Sequence, residues 1–110
     1  MKQDLALKSQ VKKILKLVQE IAPGNSLELR VPPYAAIQCI PGSVHRRGTP
    51  PNVVEMSGRT LIELVKDPTC WDKFCYEGLI SASGTNSDLS AIFHRMAKLR
   101  KSLEGIINGK

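Results

Sequence analysis

The fold is decided by the stretch Val31-Pro32-Pro33-Tyr34-Ala35-Ala36-Ile37-Gln38-Cys39, which leads through His45-Arg46-Arg47-Gly48-Thr49-Pro50-Pro51-Asn52 into Val53-Val54-Glu55. Two short runs of β type flank a loop that is too rich in proline, glycine and cations to be core. The prolines at 32 and 33 lack an amide donor, which predicts an edge position, a bulge or a place where two strands splay. This stretch therefore predicts two strands of a sheet and a basic loop beside them.

Amphipathic helices are predicted on both sides of this stretch. Apolar residues recur at steps of three and four through residues 1–22 and again through residues 87–108. Lys8, Lys12 and Lys16 lie one turn apart beside the first apolar face. That pattern fits either transient contact with an anionic membrane surface or a solvated face whose apolar side docks on the protein's own sheet.

The residues between the two helices alternate between strand and helix patterns. Leu27 to Val31 has the period of a half-buried strand, Ser57 is a candidate cap for a short helix, and Trp71, Phe74 and Cys75 have helical spacing. We therefore predict an α+β fold in one domain over residues 1–110. Its small, mostly antiparallel sheet has about four to five strands and two short helices within residues 27–84, and helices pack on one face of the sheet.

Composition and charge limit the choice of partners. The chain has 110 residues, is 42% hydrophobic, and carries a net charge of +6 that is concentrated at its two ends. This balance suggests acidic partners. Aromatic residues make up only 5% of the chain and do not interleave with the lysines, which argues against nucleic acid as the partner.

The cysteines and the first residues indicate the compartment. Cys39, Cys70 and Cys75 are an odd set without a C-x-x-C pair or a histidine at ligand spacing, which argues against a disulfide framework and a zinc site. Lysines interrupt every apolar run near Met1, so no secretory signal is expected. We expect a cytoplasmic protein that needs no metal or cofactor.

The chain contains none of the common catalytic motifs. It has no glycine-rich phosphate loop between strand and helix, no H-E-x-x-H, and no paired acidic residues on a helix face. His45 is a conceivable general base, but apart from Ser43 no serine or acid that could complete a triad lies near it in sequence. The loop around His45 could instead hold an anionic head group, or be a solvated connection. We therefore expect a protein that is not an enzyme.

Three segments carry a resemblance to a known family. Residues 32–38, the run from His45 to Glu55, and the strand Leu79 to Gly84 with the helix start at Ser87 resemble the bacterial sterol-carrier-like family, small relatives of the sterol carrier protein 2 fold. The resemblance covers residues 27–93, and its most specific part is G-T-P-P-N-V-V-E. Where the family pattern has threonine, this chain has Arg46, which adds a cation to the loop.

The resemblance implies non-enzymatic binding or transfer of a sterol, fatty acyl chain or similar lipid in an apolar cavity between sheet and helices. The residues expected to line that cavity are Leu29, Ile37, Val54, Leu61, Leu64, Val65, Trp71, Phe74 and Ile92. Those expected to contact a polar head group or a partner are His45, Arg46, Arg47, Thr49 and Asn52. In a chain this short, the apolar set is also large enough to fill the core. The alternative is an interaction or scaffold domain whose basic loop and helices bind a protein or another acidic partner.

Overall fold

A computed structural model describes residues 4–99 of the chain. The elements, in chain order, are α1 (Leu5–Ile21), β1 (Leu27–Val31), β2 (Ala35–Cys39), β3 (Asn52–Met56), α2 (Gly58–Lys66), a 3₁₀ turn (Pro68–Cys70), α3 (Trp71–Tyr76), β4 (Ile80–Ser83) and α4 (Ser90–Ala97). The predicted α+β class is confirmed. The part of the predicted last helix that runs over residues 100–108 lies outside the described residues.

The sheet is mixed, with strand order β2-β1-β3-β4. The β1–β2 and β3–β4 pairs are antiparallel, whereas the central pair, β1 and β3, is parallel. Leu27 lies between Cys39 and Asn52 in the register. Residues 40–51 must therefore cross the end of β1 to connect β2 with β3, and this crossing carries the basic loop.

The prolines at 32 and 33 lie in the turn between β1 and β2, joined by a cis peptide bond. β2 is an edge strand, but the prolines lie in the turn before it and not within a strand, so none of the three predicted alternatives describes their position. The outer rim of β2 is not bare, because Gln19 of α1 donates a 3.1 Å side-chain hydrogen bond to the Gln38 carbonyl. This bond covers part of an edge that would otherwise present unpaired backbone groups.

The sheet buries one face and exposes the other. Leu27, Leu29 and Val31 of β1 are fully buried, while Arg30 between them is exposed. Their neighbours Val54 and Met56 on β3 and Ile80 on β4 are buried on the same face. The helices cover this apolar face and leave the polar one uncovered, as predicted.

Helix α1 contributes its apolar face to this core. Val11, Ile14, Leu15 and Val18 are buried, whereas Lys12 and Lys16 are exposed. The apolar side of the first helix thus docks on the protein's own sheet. The lysine stripe is left on the solvent side, where it contributes charge but no apolar surface.

Candidate functional site

The nine residues predicted to line a cavity all lie in or against one core. Leu29, Val54, Leu61 and Leu64 are fully buried, and Val65 and Trp71 are at most 5% exposed. Ile37, Phe74 and Ile92 are partly buried and pack against the same cluster. The structure therefore brings the predicted apolar set together between the sheet and the helices.

Phe93 lies within this core and was not part of the predicted lining. Its side chain is fully buried, and its ring lies 6.4 Å from that of Trp71 at an interplanar angle of 28°. Aromatic pairs at this separation add to the stabilisation that burial provides. The signal that could have found Phe93 was present, since it falls on the predicted apolar arc of the last helix.

The sheet has two ends, and the polar features divide between them. At one end, here called the loop end, lie Leu27, Cys39, Asn52 and Ser83; at the other, the groove end, lie Val31, Ala35, Met56 and Ile80. Helix α1 finishes at the loop end, where the Ala22 carbonyl accepts a 2.7 Å hydrogen bond from the Ile40 amide. Its N-terminus is at the groove end, where the Asp4 amide approaches the Tyr34 hydroxyl at 3.4 Å.

Residues 45–49 form a closed turn at the loop end, here called the arginine turn. The His45 carbonyl accepts a 2.7 Å bond from the Gly48 amide, and the His45 amide donates to the Thr49 carbonyl at 2.9 Å. Gly48 has a φ of +82°. This is the bond pattern of a three-residue hairpin with a glycine bulge, which puts Arg46 and Arg47 at the tip.

The predicted polar loop residues are therefore brought together, with one exception. His45, Arg46, Arg47 and Thr49 are all exposed, and a 3.1 Å hydrogen bond joins His45 Nδ1 to Thr49 Oγ1. Within residues 4–99 neither arginine forms an ion pair. The turn thus presents two guanidinium groups to solvent, which is the chemistry that binds phosphate and carboxylate.

Asn52 is the exception, because it is buried and its amide is already used. Its Nδ2 donates to the Ser26 carbonyl at 2.8 Å, and its Oδ1 accepts from the Asn86 amide at 3.0 Å. A Cβ at Gly84 would overlap that Oδ1. Asn52 therefore joins three loop segments at the loop end and has no exposed polar group to offer a ligand.

A groove that sequence reasoning did not predict lies along the contact between α1 and α2 at the groove end. Its volume is about 440 Å³, within the usual range for small-molecule pockets. It is lined by Asp4, Ala6, Leu7 and Gln10 of the α1 segment and by Arg59, Ile62, Glu63 and Lys66 of α2. We call it the α1–α2 groove.

A smaller groove of about 290 Å³ lies at the same end of the sheet. Its lining residues are Arg30, Pro32, Pro33, Tyr34, Ala35, Ala36 and Glu55. It is shallow, and its charged residues Arg30 and Glu55 belong to the uncovered face of the sheet. None of the nine residues predicted for the cavity lines either of these two grooves.

Burial sets the chemistry of one cysteine. Cys39 is fully buried in β2, and desolvation raises the pKa of its thiol from 9.0 to about 11. The thiolate is the reactive form, so this thiol is inert at neutral pH. Among residues 4–99 no group of three or more histidine, cysteine or acidic side chains is placed to hold a metal ion.

Alkylation with iodoacetamide at about pH 8 is expected to modify Cys70 and Cys75, both half-buried, before Cys39. Peptide mass spectrometry over time measures the order, and the urea-unfolded protein, in which all three should react alike, is the control. Equal rates for the three native thiols would contradict the buried position of Cys39.

The raised pKa of Cys39 also makes stability depend on pH. The protonated, buried thiol makes its full contribution to the free energy of unfolding below pH 9.0, and this contribution is lost as the pH rises through about 11.

No helix within residues 4–99 is long and apolar enough to cross a membrane.

Comparison with known proteins agrees with this architecture. The comparison with curated proteins finds no match. A family model described as bacterial SCP ortholog matches residues 3–94, which include every strand and helix named above except the last turn of α4. The chain therefore belongs to the family of bacterial sterol-carrier-protein orthologs.

Proposed function

We propose that the protein binds or transfers a hydrophobic, lipid-like ligand, such as a sterol or a fatty acyl chain, without a covalent step. The observation that carries this proposal is the family match over residues 3–94, since the family is of the lipid-carrier kind. The architecture supports it, because an apolar sheet face covered by separate amphipathic helices is a layered interior that an apolar molecule can enter.

The proposed place for the apolar part of the ligand is the layer between sheet and helices, against the nine residues Leu29, Ile37, Val54, Leu61, Leu64, Val65, Trp71, Phe74 and Ile92. Six of them are at most 5% exposed without a ligand. Because protein cores are close-packed, a ligand takes this place only if helices move away from the sheet. The helices lie on one face only, so the sheet can stay intact while they move.

The arginine turn is the proposed contact for anionic head groups of a membrane or for an acidic partner. Four polar side chains are exposed there: His45, Arg46, Arg47 and Thr49. The crossing segment is attached to the sheet by the buried Asn52, which donates to the Ser26 carbonyl. The lysines of α1 add positive charge to the solvent side of the helix layer, and charge of this kind favours transient contact with an anionic surface. With three free cysteines in residues 4–99, we place this activity in the reducing cytoplasm.

Native mass spectrometry of the purified protein, followed by organic extraction, tests the proposal. A single lipid bound per chain and recovered on denaturation is the expected result. The control is the same protein stripped of lipid on a hydrophobic resin, which should take up acyl or sterol probes again. A protein that is purified empty and refuses both kinds of probe would overturn the proposal and favour an interaction domain for an acidic partner.

A further inference from the structure

The α1–α2 groove combines an apolar floor with a charged rim. Leu7 and Ile62 are half-buried in the groove and pack against the hydrophobic core. A Cβ at Gly58 would lie 3.1 Å from Leu7 Cδ2 and 3.2 Å from Val11 Cγ2, so the two helices are in close contact at this point. The floor of the groove is therefore the outer surface of the contact between α1 and α2.

The lining carries two positive and two negative side chains, and three of these charges are already engaged. Asp4 Oδ1 accepts the Leu7 amide at 3.0 Å and so caps α1. Glu63 and Lys66 form a loose ion pair at 3.9 Å. Arg59 forms no ion pair within the described residues. Arg59 is thus the charged side chain of this lining that the described residues leave without an ion pair, although the carboxylates of Asp4 and Glu63 line the same groove.

Arg59, Ile62, Glu63 and Lys66 stand on one stripe of α2, at steps of three and four residues. The guanidinium therefore lies one turn from the apolar Ile62. A molecule with an anionic head and an apolar chain matches this sequence of groups, because a guanidinium forms paired hydrogen bonds with a carboxylate or a phosphate. A neutral amphiphile lacks this match.

We propose that the α1–α2 groove binds the head of an anionic amphiphile, with a long-chain carboxylate as the simplest case. Arg59 holds the carboxylate, and the first part of the chain lies on Leu7 and Ile62, from which it can continue between the helices into the core. This inference rests on the proposed function and adds the head-group class and the place of entry. The arginine turn is at the opposite end of the sheet and does not contact this head group.

Competition binding tests the inference. The probe is cis-parinarate, a fluorescent fatty acid, displaced by laurate or by the uncharged lauryl alcohol. Replacing Arg59 by glutamine (Arg59→Gln) is expected to lower the affinity for laurate about tenfold, the low end for an exposed charge-assisted pair. The affinity for lauryl alcohol is expected to stay unchanged. Arg95→Gln is the matched control, since it removes the same charge from the exposed side of α4, outside both grooves, and is expected to change neither affinity. Arg46→Gln tests the arginine turn as the alternative place for the head group.

Amide chemical shifts give a second readout that does not depend on affinity. Laurate is expected to shift the amide signals of Leu7 and Ile62 more than those of the arginine turn. If the probe binds and laurate has the same affinity for Arg59→Gln as for the unaltered protein, the assignment of the head group to the α1–α2 groove is wrong. Lipid binding itself is supported by that result. A loss of laurate affinity in Arg46→Gln instead would show that the head group binds at the arginine turn. Failure of every probe to bind would overturn the proposed function itself.

Discussion

Replacing Phe93 by alanine is expected to lower the free energy of unfolding by about 3 to 5 kcal/mol, the usual cost of deleting a large buried aromatic side chain. Phe93 is fully buried and lies beside Trp71 with ring centres 6.4 Å apart. Its removal takes away both the buried apolar area and the aromatic contact. Urea unfolding followed by circular dichroism measures the change without relying on the fluorescence of the neighbouring Trp71.

Tyr76→Ala is the control for this prediction. Tyr76 is also aromatic and helical, but it is 94% exposed, so its removal is expected to change stability by no more than about 0.5 kcal/mol. A loss below about 1 kcal/mol in Phe93→Ala would mean that the core around this ring is not close-packed. In that case the space for a ligand would already exist, and uptake would need no movement of the helices.

Replacing Asn52 by alanine is expected to cost about 1 to 3 kcal/mol, because it removes one hydrogen bond to the buried Ser26 carbonyl and one from the part-buried Asn86 amide. The Asn86 amide loses its bond to Oδ1, and the Ser26 carbonyl keeps only the 3.2 Å bond from the Asn52 amide. Unsatisfied polar groups of this kind are costly away from water. Thermal or urea unfolding measures the loss.

Asn25→Ala supplies the matched comparison. Asn25 has the same side chain and also makes a hydrogen bond, at 2.7 Å to Gln38 Oε1, but it is exposed. Water replaces a bond of this kind at little cost, so a change of at most about 0.5 kcal/mol is expected. Similar losses in the two variants would contradict the role of Asn52 as the buried connection between three loop segments.

Much of the fold could be predicted because its signals are local. The apolar period of three to four residues defines α1, and Ser57 caps α2 by accepting the Thr60 amide at 3.1 Å. The end of α3 is also set by a local signal: Gly78 has a φ of +79°, and the Leu79 amide donates a 2.9 Å hydrogen bond to the Phe74 carbonyl. The parallel pairing of β1 with β3 was not predictable, since strand order depends on contacts between distant segments.

The candidate sites were harder to predict for the same reason. Asn52 follows two prolines and has the composition of a loop residue, and its burial depends on Ser26 and Asn86, which are 26 and 34 residues away in sequence. The α1–α2 groove requires Leu7 and Ile62 to come together, and this follows from helix packing alone. The exposed basic turn, by contrast, was evident from the run His45-Arg46-Arg47-Gly48 and its glycine.

The opposite placement of the arginine turn and the α1–α2 groove gives the molecule two poles. On the proposed function, a protein whose arginine turn rests on an anionic bilayer would hold the α1–α2 groove on its far side, turned toward water. It would then release or accept an amphiphile through the groove only from solution or from a second surface. Docking and loading would thus be separate encounters, and a transfer cycle would include a rotation of the whole protein between them.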